Sequence, residues 1–514
     1  MTRTRRLLGG TSLGYAHQAA IIVAGLWLTP FLLQRLGQHD LGLWLVAGQL
    51  LGYLGLLDLG VIALLPREVA SASGQHDPGL RQTGIATVVF AARRIVRLQL
   101  PLFALACGLT LWLLPRAWES LGPPLAIVMV SFLALYPLRV STATLQGLQE
   151  LPFVGGVQLA GWALGTALTI GLIWAGAGLY ALVIGWIAGQ AVPALAAWRR
   201  MRAAIPARPS AGPTSTGSGL KSYLQRSIWV SVGQAAQVLL AGTDVLLLGT
   251  ILGPAAVVPY ACTGKLVTVF ANHPQLLMQA AQPALSELRA SADRDRLVGA
   301  AAALTQAMLL MSGGLAVLIL AVNQPFVAWW VGDTQFGGWP LSVAFVVMML
   351  LRHWNVTTLY TLFSFGHERR ISLTSLVDGA VTVLGGIVLV SVWGPLGAPL
   401  ASILGVVLVS LPLNIRAVAR ELNVTVAESI EAPLQVLTRM VPVASAAGLA
   451  GYWWPGGSPA ALAALGGSSI LLYVLAALPL TRSGPVAPYV ASLMPAFTAG
   501  STRKGALGHD TASR

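Results

Sequence analysis

Apolar runs of about 20 residues recur along nearly the whole of the 514-residue chain. A run of that length spans the hydrocarbon core of a bilayer, and in lipid every backbone amide must be satisfied within its own helix or a closed barrel. The runs lack the two-residue alternation of barrel strands, so they read as helices. Composition agrees. A soluble domain needs roughly a quarter of its residues charged to clothe its surface, whereas 9% are charged here and 56% are hydrophobic. The expected fold class is all-α, a polytopic membrane protein.

Six runs lie near residues 10–33, 41–65, 94–115, 122–146, 154–175 and 178–198. A basic, Pro/Gly/Ser-rich stretch follows, and then six more runs near 227–252, 255–283, 297–322, 340–365, 372–393 and 396–418. Two last runs, near 435–455 and 459–481, precede a polar tail. The expectation is about fourteen transmembrane helices. A six-helix bundle over 1–198 leads through a cytoplasmic linker (199–226) to a second bundle over 227–418, helices 13 and 14 over 435–481, and a cytoplasmic tail over 482–514. The basic start, Met1 to Arg6, resembles the head of a signal peptide, but the run behind it is too long and lacks a small-x-small cleavage site, so it reads as an uncleaved first helix. Cys107 and Cys262 both fall inside expected helices and read as core filler, not as a disulfide or metal framework.

The net charge of +14 is a topology signal before it is a nucleic-acid signal. With the N-terminus inside, the outer connections carry only Arg35 and Arg116 of the 31 Lys and Arg, while Arg139, Lys265 and Arg352 fall within helices and the rest lie on or near the inner side. Both termini are therefore expected in the cytoplasm, with no nucleic-acid partner. Trp112, Trp118, Trp174, Trp329, Trp330, Trp339, Trp393, Trp453 and Trp454 fall near outer helix ends, where an interfacial aromatic belt belongs.

The two sets of six helices share landmarks. Leu36-Gly37 with Leu41 and Trp44 matches Leu252-Gly253 with Val257 and Tyr260 at a shift of 216, and Gly147 matches Gly366 at 219. Trp174, Gly178 and Gly185 match Trp393, Gly397 and Gly405 at 219 to 220. Because six is even, the second set starts on the same face as the first, so the repeat is parallel: two six-helix bundles about an axis along the membrane normal, facing across a cleft suited to alternating access. Pro274 and Pro399 are candidate hinges, with a rigid kink as the plainer reading.

An ionisable side chain at bilayer depth costs about 2.5 to 3.5 kcal/mol, so each is a functional candidate. Arg139, Lys265 and Arg352 are the candidate substrate-binding residues of a cationic cavity, Arg offering a bidentate fork for phosphate and Lys a point charge. The plainer reading is that each pairs with an Asp or snorkels to an interface. Asp58, Asp244, His353 and Asp378 are candidates for ion coupling or charge pairing. No catalytic or metal-binding constellation is found: there are no paired carboxylates, no His/Cys cluster, no phosphate-cradling glycine loop, and no outer loop longer than about 20 residues to house an enzyme's active site. Nor is there a repeated filter-like segment that would suggest a channel.

Thr29-Pro30-Phe31-Leu32-Leu33-Gln34-Arg35-Leu36-Gly37, Leu41-Gly42-Leu43-Trp44 and Gly55-Leu56-Leu57-Asp58-Leu59-Gly60 together resemble the opening of the Wzx-type oligosaccharide flippases. These form the polysaccharide transporter branch of the superfamily that also holds the multidrug and toxic-compound extruders. Leu145-Gln146-Gly147-Leu148-Gln149, Thr243-Asp244-Val245-Leu246-Leu247-Leu248-Gly249 and Trp329-Trp330-Val331-Gly332 look like further family signatures, and the resemblance covers roughly residues 10 to 420. It implies a V-shaped transporter of the bacterial inner membrane with a cationic cavity. The implied cargo is an undecaprenyl-pyrophosphate-linked oligosaccharide repeat unit, moved from the cytoplasmic to the outer leaflet. Membrane lipids and other polysaccharide assembly proteins are the implied partners. No cofactor is expected, and a coupling ion, H+ or Na+, is left open. A multidrug extruder shares the implied fold but usually stops at twelve helices and uses acidic residues. A peptidoglycan-precursor flippase shares both the helix number and the basic cavity.

Overall fold

A computed structural model describes residues 3–75, 77–204, 231–240, 242–291, 293–454 and 458–493, and among them every regular element is helical. Most of the expected linker and the end of the expected tail lie outside the described residues. The helices are α1 (Arg3–Gly55), α2 (Val61–Ser73), α3 (Pro78–Trp112), α4 (Gly122–Leu135), α5 (Arg139–Gly147), α6 (Leu151–Trp174) and α7 (Leu179–Ala204). Then come α8 (Ser231–Leu240), α9 (Thr243–Ile251), α10 (Val257–Thr263), α11 (Lys265–Phe270), α12 (Asn272–Ala290) and α13 (Arg294–Val331). The last are α14 (Trp339–Ser364), α15 (Glu368–Trp393), α16 (Gly397–Gly405), α17 (Leu411–Leu422), α18 (Val426–Trp453), α19 (Pro459–Ser483) and α20 (Ala487–Leu493).

Nine helical stretches among the described residues are long and apolar enough to cross a membrane, or up to eleven when each of two bent pairs is one span. Helix α1 alone, at 1.5 Å per residue, is about 80 Å long, more than twice the hydrocarbon thickness. Gly37 breaks it at φ 81°, ψ 171°, between the first two expected runs, leaving two crossings' worth of helix. The stretch Glu368–Leu422 is broken in the same way at Gly394–Leu396. The chain is a multi-pass membrane protein.

The chain folds as two compact units. The first comprises Met1–Cys262 and Ser375–Ser402. Its core is the contact of α2, α3 and α5, where Val61, Leu65, Val69, Val89, Val96, Phe103 and Val140 are buried around Tyr136. The two loops related by the shift of 216 meet here. Gly253 repeats the conformation of Gly37 at φ 93°, ψ 159°, a region essentially closed to other residues, and Gln38 Nε2 donates to the Ala255 carbonyl at 2.8 Å. A Cβ added to Gly42 would lie 1.9 Å from the Pro254 carbonyl oxygen. Gly42→Ala is therefore expected to lower the thermal unfolding midpoint of the purified protein, by an overpacking cost of about 1–3 kcal/mol. Gly48→Ala, with nothing within 4 Å, serves as the neutral comparison on the same helix.

The second unit comprises Thr263–Thr374 and Ile403–Arg514. Its central element is α13, which packs on α12, α14, α18 and α19. Buried polar pairs tie its helices together: Asn323 Nδ2 donates to the Thr263 carbonyl (3.0 Å) and to Ser342 Oγ (2.9 Å), and Asn414 Nδ2 to Asn355 Oδ1 (2.9 Å).

Two expectations are corrected. The expected eighth helix, near 255–283, is not continuous: it bends at Gly264, where two segments meet at 57°, and it ends at Phe270 and restarts at Asn272, two residues before Pro274, which is buried near the start of α12. A Cβ at Gly264 would lie 2.9 Å from the Phe345 ring, so the bend sits where the backbone packs directly on an aromatic side chain. Of the tryptophans, Trp112, Trp174, Trp393 and Trp453 end α3, α6, α15 and α18 and are exposed, as a belt requires. Trp118 is only 2% exposed and packs near Gly249, while Trp330 is buried beside Lys265, so these two rings fill interior space.

Candidate functional site

The first unit holds a cavity of about 990 Å³. Each helix around it gives one face. From α5 come Arg139, Thr142, Ala143 and Gln146, spaced i, i+3, i+4 and i+7 as one helical stripe. Helix α6 supplies Gln158, Trp162, Gly165, Thr166 and Thr169, and α7 supplies Gly185, Trp186, Gly189 and Gln190. His17, Trp44, Leu51 and Gly52 come from α1 on either side of its break. Among the described residues the lining therefore carries one guanidinium, one imidazole, three glutamines and three indoles, and no carboxylate. Arg139 is exposed and lines the cavity. The His17 ring meets Trp162 edge-on at 6.3 Å.

A buried polar cluster supports this wall. The helix breaks after Asp58, where Leu59 and Gly60 both take left-handed backbone (φ 51° and 69°), and the Asp58 carboxylate accepts the Ile62 amide of α2 at 3.1 Å. This satisfies one of the N–H groups that a new helix leaves without an intrahelical partner. The Tyr136 hydroxyl donates to Asp58 Oδ1 at 2.8 Å and lies 2.9 Å from Gln99 Oε1, and Gln99 Nε2 donates to the Asp58 carbonyl at 2.9 Å. Tyr136 also lines the cavity, so one residue joins the helix break to the cavity wall.

The other sequence-derived candidates divide between the units. In the first, Asp244 opens α9, where it accepts from the Tyr260 hydroxyl (2.5 Å) and the Val245 amide (2.9 Å). The fully buried Asp378 accepts from Thr382 Oγ1 at 3.3 Å. Tyrosine hydroxyls thus bond Asp58 and Asp244, and the charge of Arg139 also acts on Asp58. In the second unit, Lys265 is half-buried at the Gly264 break with its Nζ 5.9 Å from the Trp330 ring centroid. Arg352 is half-buried on α14. The neighbouring His353 is buried with Nδ1 2.7 Å from Ser312 Oγ. Of the three expected cavity cations, Arg139 lines this cavity, and Lys265 and Arg352 belong to the other unit.

Most of this lining is not ionisable, and so is not marked by charge at bilayer depth. Gln158, Gln190, Trp162 and Trp186 are uncharged and therefore carry no such mark. His17 does carry it, as an ionisable residue inside the first apolar run. The signal for the rest is the spacing of small residues: Gly161, Gly165 and Thr169 on α6, and Gly185, Gly189 and Pro193 on α7, every fourth residue on both, the small-xxx-small pattern of close helix packing in membranes.

Residues 117–335 match the family model described as "Polysaccharide biosynthesis protein", a stretch that includes Arg139 and the α6 and α7 walls. No curated protein sequence matches the chain. Among solved structures, the lipid II flippase MurJ in an inward closed conformation superposes with a TM-score of 0.61 at 12% identity, over 92% of this chain and 98% of that one. A multidrug resistance MATE family transporter of the MOP superfamily, in its inward-facing conformation, gives 0.58 at 11% identity, over 82% of this chain and 99% of that one. In an outward-facing conformation such a transporter gives 0.50 at 12% identity, over 81% and 94%. The chain has the fold of the lipid II flippase and of these MATE transporters, and its residues 117–335 carry the sequence pattern of the polysaccharide biosynthesis family.

Proposed function

We propose that the protein is a flippase that moves an undecaprenyl-pyrophosphate-linked oligosaccharide repeat unit from the cytoplasmic to the outer leaflet of the bacterial inner membrane. It works by alternating access, and both termini are cytoplasmic. The observation that carries this reading is the chemistry of the cavity. Among the described lining residues, one guanidinium and no carboxylate suit an anionic group, and amides beside indoles suit a glycan. An extruder of organic cations would need the opposite sign. Helices α18 and α19 point the same way, since a multidrug extruder usually stops at twelve helices. Lys265 and Arg352 supply further positive charge for the pyrophosphate, and Asp58, Asp244, His353 and Asp378 stay with ion coupling or charge pairing, the coupling ion being H+ or Na+. The match to MurJ over 92% of the chain favours one second reading, a peptidoglycan-precursor flippase.

The test is transbilayer movement in reconstituted vesicles, with three cargoes offered in parallel: an undecaprenyl-pyrophosphate oligosaccharide, a peptidoglycan precursor on the same lipid, and a fluorescent organic cation. Movement of the first is expected, reduced in Lys265→Ala and Arg352→Ala at normal expression. Movement of the precursor alone selects the second reading, and movement of the cation alone overturns both.

A further inference from the structure

Helices α6 and α7 meet through backbone. A Cβ added to Gly161 would lie 2.7 Å from Pro193 Cδ and 2.9 Å from the Gly189 carbonyl, and one added to Gly165 would lie 2.5 Å from the Gly185 carbonyl. These contacts set the antiparallel register, Gly161 beside Gly189 and Gly165 beside Gly185. The residue after each of these glycines lines the cavity. Trp162 and Gln190 therefore share one level, and Thr166 and Trp186 share the next, four residues or about 6 Å along the helices. Each level pairs an indole from one helix with a hydrogen-bonding side chain from the other, and the two helices exchange roles between levels.

The repeat matches the shape of a glycan. A pyranose ring has a face of C–H groups and a rim of hydroxyls; an indole takes the face, and an amide or hydroxyl takes the rim. A rise of about 6 Å between levels is close to the advance of one sugar along a chain. The four side chains carry no charge. With about 990 Å³, the cavity lies at the upper end of the roughly 300–1,000 Å³ of small-molecule sites. We propose that the α6–α7 wall is a two-step ladder for two consecutive uncharged pyranose units of the cargo, while Arg139, on α5, holds an anionic group of the same molecule. This rests on the flippase reading above.

The test is the affinity of the full-length protein in nanodiscs for undecaprenyl pyrophosphate bearing no sugar, one N-acetylglucosamine, or that sugar extended by a neutral hexose. Wild type is expected to gain about three- to tenfold per sugar, from an aromatic contact and a hydrogen bond at each level. Trp162→Leu and Gln190→Leu are expected to erase the same one of the two gains, and Trp186→Leu and Thr166→Val the other. None of the four should alter affinity for the sugar-free carrier. Gln190 is exposed, so Gln190→Leu tests the first level even where an indole variant does not fold. Equal affinity of wild type for all three carriers overturns the ladder and leaves the flippase reading standing. Failure to bind any of the three overturns both.

Discussion

Arg139→Gln is expected to slow transport of a lipid-linked oligosaccharide by roughly ten- to 150-fold, the value of about 1.5–3 kcal/mol for a hydrogen bond to a charged group. Folded yield should stay normal. Arg139 is exposed in the cavity, and its loss opens no hole in the core. Among the described residues it is the one Lys or Arg of the lining, so no described neighbour on this wall replaces its charge. Asp58 keeps its bonds from Tyr136 and the Ile62 amide but loses the favourable charge of Arg139, which the Arg139→Lys variant retains. Arg139→Lys keeps the charge but loses the planar fork that grips two phosphate oxygens at once, and should fall between wild type and Arg139→Gln. Arg139→Glu reverses the sign and should be the most damaging of the three. The measurement is the initial rate of lipid movement in vesicles, normalised to correctly folded protein. An unchanged rate in Arg139→Gln would place the anion elsewhere, with Lys265 and Arg352 the next positions to test.

Fold class was legible because long apolar runs admit few structures in a bilayer, and the positions of the runs place most helices. What hydrophobicity does not carry is backbone angle. The break after Asp58 lies inside a run that reads as one helix over 41–65, since Leu59 and Gly60 leave helical φ without interrupting the apolar pattern. The bend at Gly264 is hidden for the same reason, whereas the interruption at Ala271 lies three residues before Pro274, where a proline removes a helical hydrogen bond. Of the repeat landmarks, Gly147 lies within α5 while Gly366 has φ 83°, and Gly178 has φ 56° while Gly397 is right-handed at φ −59°, but the first pair does share a conformation. Gly37 and Gly253, paired by spacing alone, take up the same rare conformation, which is why both are glycine. In the site, the criterion of charge at depth reached Arg139. It could not reach Gln158, Trp162, Trp186 or Gln190, whose roles depend on which face of a helix they share and on the helix packed beside them.

That packing makes Gly185→Val the substitution expected to damage the fold most. A Cβ there would lie 1.9 Å from Thr169 Oγ1 and 2.6 Å from the Gly165 carbonyl. The hydroxyl can rotate away, but the carbonyl is backbone, so relief requires α6 and α7 to separate. The cost should reach the upper end of the about 1–3 kcal/mol typical of overpacking, because two rigid helices must move and not a side chain. Close approach through small residues is also what holds helices together in lipid, where the hydrophobic effect does not. Gly171→Ala is the internal control: it lies on α6 with nothing within 4 Å, and should be neutral or gain up to about 1 kcal/mol from higher helix propensity. Thermal unfolding in detergent, followed by retention of the monodisperse peak, should separate the two variants clearly. If Gly185→Val is as stable as Gly171→Ala, the α6–α7 seam is looser than the glycine contacts require, and the register that brings Trp162 level with Gln190 loses its support.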